Sequence, residues 1–178
     1  MGIPTLISTA TASGASEVDI TSGIDSTYDE YMFVVTDIGP ATDNADFTFQ
    51  FNAAGGSGFN ETITSTVVYS YNNEADSDTG LGYETGSDQA QGTAYQTFWY
   101  DAGNGADESG AGILHLFSPS NTTYIKHWYF RSSFYYVSDY AFSFFGAGYI
   151  NTTSAIDEIS FKMSSGDFDG VIQMYGVA

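Results

Sequence analysis

The chain contains no cysteine, which excludes a disulfide framework, a thiol nucleophile and a thiolate-ligated zinc site. Basic residues are almost as scarce. Lys126, Arg131 and Lys162 stand against 22 acidic residues, for a formal net charge of −19 at pH 7. Nucleic acid is thereby excluded as a partner, because affinity for a phosphate backbone comes from counterions displaced by Lys and Arg. Anionic membrane surfaces are disfavoured on the same ground. What the acidity does support is solubility and colloidal stability, in a medium salty enough to screen self-repulsion. No apolar run approaches the roughly 18 residues of a membrane-spanning helix. Met1-Gly2-Ile3-Pro4 lacks the basic n-region of a secretory signal, and Leu6 stands where a myristoylation signal needs Ser or Thr. A protein soluble where it is made is expected.

Catalytic patterns are missing too. There are only two imidazoles, His115 and His127, and both fall inside strand-like runs, Gly112–Phe117 and Tyr124–Trp128, where a single polar position is ordinary. No Gly-x-Ser-x-Gly elbow, His-Glu-x-x-His or phosphate-binding loop occurs. A glycosidase needs only two carboxylates roughly 5–10 Å apart, but with 22 acids spread over the chain no pair is singled out. No catalytic residue is assigned and no enzymatic activity is expected. Calcium is the one cofactor the acidity brings into view. Glu74-Ala75-Asp76-Ser77-Asp78-Thr79-Gly80 sets carboxylates at alternate positions, as an EF-hand loop does. Its glycine falls one residue late, however, and Thr85 replaces the closing Glu. Gly103-Asn104-Gly105-Ala106-Asp107 is like one turn of a calcium-binding β-helix repeat, but such sites need stacked copies. No metal ligand is assigned. The Asn-x-Thr triplets at Asn60, Asn121 and Asn151 are about as frequent as chance gives in a Thr-rich chain, so glycosylation is not inferred.

What the chain does have is aromatic mass: 14 Phe, 14 Tyr and 2 Trp within 178 residues, enough for one well-packed domain. Apolar residues alternate with polar ones from end to end, and no stretch carries helical spacing over three turns. Asp46-Phe47-Thr48-Phe49-Gln50-Phe51-Asn52 is the clearest case, with three phenylalanines on one face. About eleven strands are expected, near residues 3–9, 17–21, 30–37, 45–52, 62–71, 93–101, 111–118, 123–132, 140–150, 155–163 and 170–176. Gly, Asn and Asp punctuate them. With no helices to build parallel crossovers, this pattern predicts a single all-β domain over residues 1–178, an antiparallel sandwich of jelly-roll type.

Two segments stand apart. Residues 72–92 are polar and Gly-rich without alternation, and read as a long exposed loop available for surface contact. Residues 1–15 hold a short apolar patch, Ile3–Ile7, followed by small residues, and are expected to form an edge strand or an arm that docks on a neighbouring subunit. Aromatics in the second half fall at both odd and even positions, as in Phe98-Trp99-Tyr100, Trp128-Tyr129-Phe130 and Phe142-Ser143-Phe144-Phe145. Both faces of those strands then need cover, which predicts a homo-oligomer.

Leu6 to Ser13, followed by Ile24-Asp25-Ser26-Thr27-Tyr28-Asp29-Glu30-Tyr31-Met32-Phe33, resembles a family of small jelly-roll virion proteins of tailed phages of marine and aquatic bacteria. Asp46–Asn52 with Gly55-Gly56 and the final Gly170–Val177 are similar to its middle and end. The resemblance is specific over about a quarter of the chain and carries no catalytic residues. It implies a jelly-roll domain in a virion component made in the bacterial host cytoplasm: a capsid decoration or cement protein, or else a tail or fibre part. The partners it implies are other virion proteins and, with three-fold symmetry, further copies of the chain. The aromatic excess and the 72–92 segment support a different function class, a carbohydrate-binding module or adhesin contacting host glycans.

Overall fold

In the computed structural model, residues 2–178 are described; Met1, the first residue of the expected 1–15 arm, lies outside them. The described residues form thirteen strands and no helix: β1 Thr5–Ala15, β2 Glu17–Ile20, β3 Glu30–Pro40, β4 Ala45–Ala53, β5 Ile63–Asn73, β6 Thr79–Tyr83, β7 Ala90–Gly92, β8 Gln96–Ala102, β9 Gly110–Phe117, β10 Lys126–Tyr136, β11 Tyr140–Ile150, β12 Ile156–Met163 and β13 Phe168–Val177. Every pairing between them is antiparallel.

The strands make an antiparallel sandwich of one wide and one narrow sheet. The wide sheet runs β1-β13-β3-β9-β10-β11-β5, with β6 and β7 along the far side of β5; the narrow one runs β8-β4-β12-β2. A single pairing, Tyr136 with Ala102, joins β10 to β8. The ribbon β3–β4 lies beside the ribbon β13–β12 in both layers, because β3 pairs with β13 and β4 with β12. This shared fold-over of two long ribbons is the jelly-roll device. It bends where both outer-layer strands carry bulges: Asp37 in β3 sits at φ 54 and Gly170 in β13 at φ 141. At Gly170 a side chain would also meet Ile38 at 2.6 Å, so only glycine fits the bend.

Eleven strands lie close to their expected positions, and β1 is the expected edge strand, paired only with β13. The 72–92 segment requires correction. It is not one loop, since β6 and β7 within it both pair with β5. Glycine hid β6 from the sequence pattern. Gly80 and Gly82 leave room for Tyr71 and Tyr69 of β5, whose rings lie 2.6 and 2.7 Å from where a Cβ would stand, so the tyrosines supply the packing that β6 lacks.

The core lies between the sheets and is mostly aromatic. Phe49, fully buried, sits among Phe51, Phe98, Trp128, Phe130 and Phe161, with ring centroids 5.3 to 6.4 Å apart. Such rings need room, which neighbouring strands provide as glycines. Trp99 covers Gly110, Phe98 covers Gly112, Phe130 covers Gly146 and Trp128 covers Gly148. Lys126 is also fully buried; its Nζ donates to the carbonyls of Tyr124 at 3.1 Å and Thr152 at 3.3 Å. Burial holds its pKa below the ordinary lysine value.

Candidate functional site

Period-two alternation gives each sheet an inner and an outer face, and the two outer faces differ in kind. On the narrow sheet the outward residues of β4 are Thr48, Gln50 and Asn52, polar yet buried by the chain's own loops. Gln50 Nε2 donates to the carbonyls of Ala94 at 2.8 Å, Glu61 at 3.2 Å and Thr93 at 3.3 Å. Lys162 beside them lies 3.9 Å from the Tyr95 ring centroid.

On the wide sheet no loop covers the outer face. Strand register sets its residues in rows, and one row crosses six strands from β3 to β6: Val34, Ile113, Arg131, Phe145, Val68 and Tyr83. Val68, Tyr83, Ile113 and Phe145 are exposed, as is Leu81 in the adjoining row at 82%. None of the 22 acidic residues lies in β5, β6, β9, β10 or β11. The carboxylate that does reach this face is Glu30 at the start of β3, and it is paired with His115 Nδ1 at 2.5 Å. Arg131 stands exposed at mid-row, and among the described residues no carboxylate lies within ion-pair distance of it.

The rings on this face stand beside one another. Phe117, His115 and Tyr129 form a stack, with His115–Tyr129 centroids 4.5 Å apart at 18° and Phe117–Tyr129 at 5.6 Å and 29°. Phe145 continues it from Tyr129 at 6.1 Å and 24°. Ring faces are therefore turned largely to each other, and ring edges outward. On either side of Tyr129 the surface dips. One depression is floored by Ala111, Gly112, Ser132 and Ser133, the other by Thr66, Ala147 and Gly148.

Acids concentrate instead at turns and strand ends. Asp101, partly buried and near Asp46, has its pKa raised, first by burial and then by the Asp46 charge. Tyr135 Oη donates to Asp139 Oδ1 at 2.9 Å, and this bond is the main reason its pKa is raised well above the ordinary tyrosine value. Among the described residues no three His, Asp or Glu side chains converge on one point. The residues set out like an EF-hand loop form the β5–β6 turn, where Asn73 Oδ1 accepts from the Ser77 and Asp78 amides and Asp78 Oδ2 accepts from Tyr140 Oη. In the second acidic turn Glu108 Oε2 accepts from the Gly105 amide at 2.6 Å. Both sets of carboxylates are thus spent on local bonds rather than brought together.

The two histidines do come to one face, His115 within the ring stack and His127 edge-on to Tyr149 at 6.2 Å. Sequence reasoning located aromatics on both strand faces but not the row through Val34, Ile113, Arg131 and Val68. A usable signal was there: between Glu108 and Asp157 the only acid is Asp139. No known protein family and no curated protein matches the chain.

Proposed function

We propose that the protein is a structural component of a bacteriophage virion, a capsid-surface decoration or cement protein in the first place and a tail or fibre part in the second. The observation that carries an assembly role is the acid-free outer face of the wide sheet. A chain of net charge −19 repels acidic neighbours over its whole surface, and long-range contact is favourable only where carboxylates are withheld. Withholding them from five adjacent strands, while leaving Ile113, Phe145, Val68 and Leu81 exposed there, produces what a subunit contact requires: an apolar centre with a charged rim. The assignment to a virion rests on the resemblance of residues 6–33, 46–56 and 170–177 to phage virion proteins. On this reading the protein is made in the bacterial cytoplasm, carried in the particle, and has no catalytic role.

Binding of host glycans is the competing function, and the ring geometry weighs against it. Sugars stack on exposed ring faces, whereas Phe117, His115, Tyr129 and Phe145 turn their faces to each other. Purified virions decide between the two. Mass spectrometry should find the chain in copy numbers stoichiometric with the capsid or tail, and its absence from particles overturns the proposal. Retention on host polysaccharide, lost in Tyr129→Ala, would establish the glycan-binding function instead.

A further inference from the structure

We infer that the outer face of the wide sheet pairs with the same face of a second copy, across a two-fold axis running parallel to the strands between β10 and β11. This deepens the assembly reading above and rests on it for the use of this face, but it names the occupant.

Charge argues for a second copy. Two chains of −19 each can approach closely only through surfaces free of carboxylate, and this face is the broad one that qualifies. A face that must avoid every other side of an identical chain is left to meet itself, which is the isologous contact of a two-fold dimer.

The row of outward residues then matches itself. Rotation about an axis between β10 and β11 lays β10 of one copy over β11 of the other, because Arg131 and Phe145 are register partners. Each Arg131 guanidinium comes onto the other copy's Phe145 ring, a cation–π contact for a cation that has no carboxylate within reach in its own chain. One strand further out, Ile113 of β9 meets Val68 of β5, and beyond them Val34 of β3 meets Tyr83 of β6. In the neighbouring row the large residues fall on small ones. Tyr129 lies over Ala147, its own register partner, and His115 over Thr66. These small residues help to floor the depressions beside Tyr129, so knobs and hollows are both present on the one face.

Size agrees. Seven strands from β13 to β6, at roughly 4.8 Å spacing, and four outward residues along each, at roughly 6.8 Å, cover roughly 900 Å². A standard stable interface takes roughly 800 Å² from each partner. A flat face of this extent meets its copy most completely across a two-fold axis, so the dimer replaces the three-fold arrangement that the family resemblance implies.

The test is light scattering and sedimentation of the isolated full chain at 1 to 100 µM, with the Phe145→Asp, Phe145→Ser, Arg131→Ala and Ser165→Asp variants. Ser165 lies exposed in the β12–β13 turn and adds the same charge away from the face. The expected mass is twice the 19.1 kDa chain. Phe145→Asp and Phe145→Ser should give monomers with unchanged thermal melts, Arg131→Ala should weaken pairing about tenfold, the size of one lost cation–π contact, and Ser165→Asp should leave it intact. Pairing should tighten as salt rises, since salt screens the repulsion between two acidic chains. A mass of one chain at 100 µM overturns the two-fold pair while leaving the virion role standing, because another virion protein then covers the face. A mass of three chains, or a dimer that survives Phe145→Asp, overturns it as well. Absence from virions with an intact dimer defeats only the virion role.

Discussion

The outer faces of the two sheets answer the same problem in opposite ways. On the narrow sheet, polar Thr48, Gln50 and Asn52 are buried under the chain's own loops, and each carbonyl around Gln50 is met by its amide. On the wide sheet, Ile113, Phe145 and Val68 are exposed and carry no cover. Burying polar groups at home and leaving apolar ones in water is costly on both counts unless the second face has a partner. The difference teaches that exposure here follows assembly rather than monomer stability. Charge follows the same division, since acids flank the narrow sheet's outer face at Glu17, Asp19 and Glu158 but are absent from β9, β10 and β11.

If the interior and the wide outer face differ as described, truncating a ring in each should give unequal results. Phe49→Ala, in the middle of five aromatic neighbours, should destabilise the fold by about 3–5 kcal/mol in denaturant titration, while Phe145→Ser should leave the midpoint nearly unchanged at concentrations where the chain is monomeric. Equal losses would erase the distinction. Gly146→Ala tests the inner face of the same strand. The new methyl would collide with the Phe130 ring, so a loss of about 1–3 kcal/mol is expected in urea unfolding. The same change at an outward position such as Ser143 should be close to neutral.

The narrow face is broken more gently. Gln50→Ala strands the three carbonyls of Glu61, Thr93 and Ala94 without their donor, at a cost of about 1–3 kcal/mol. Hydrogen exchange should quicken first in residues 54–62 and 93–95, the loops that Gln50 holds. The smallest effect sits at the acidic rim. Asp101 has a folded pKa above its unfolded value, so the native state binds its proton more tightly. The ionised form carries a penalty that is fully present at neutral pH and is relieved as pH falls through the raised value. Asp101→Asn should therefore stabilise the protein at pH 7 by less than about 1 kcal/mol, and the gain should shrink on acidification towards pH 4. A thermal-melt series in pH checks the sign, and a gain that grows on acidification would contradict it.

Most of the fold was legible from alternation. Phe47, Phe49 and Phe51 mark their strand's inner face because a strand's side chains alternate strictly, and the three do share the core. Strand β6 was not legible, because its glycines have no side chain to alternate, and the rings that fill their space belong to Tyr69 and Tyr71 on another strand. The acidic turns illustrate the opposite error. Spacing in Glu74–Gly80 resembled a cation loop, but Asn73 closes that turn with its own side chain and Tyr140 draws off Asp78.

By itself the sequence determined an all-β antiparallel sandwich, the location of nearly every strand, the exclusion of nucleic acid by charge, and the presence of aromatics on both faces of the later strands. Those properties are local or compositional, set by period and by counting. Only the tertiary structure decided that Val34, Ile113, Arg131, Phe145, Val68 and Tyr83 form one continuous row. Five of the six strands that carry the row lie far apart in sequence or are reordered in the sheet, and which strand becomes whose neighbour depends on the fold-over of the β3–β4 and β12–β13 ribbons. It also decided which polar residues are covered and which rings stay open. Cover is supplied by loops whose path is fixed by long-range pairing, and no window of sequence contains that information.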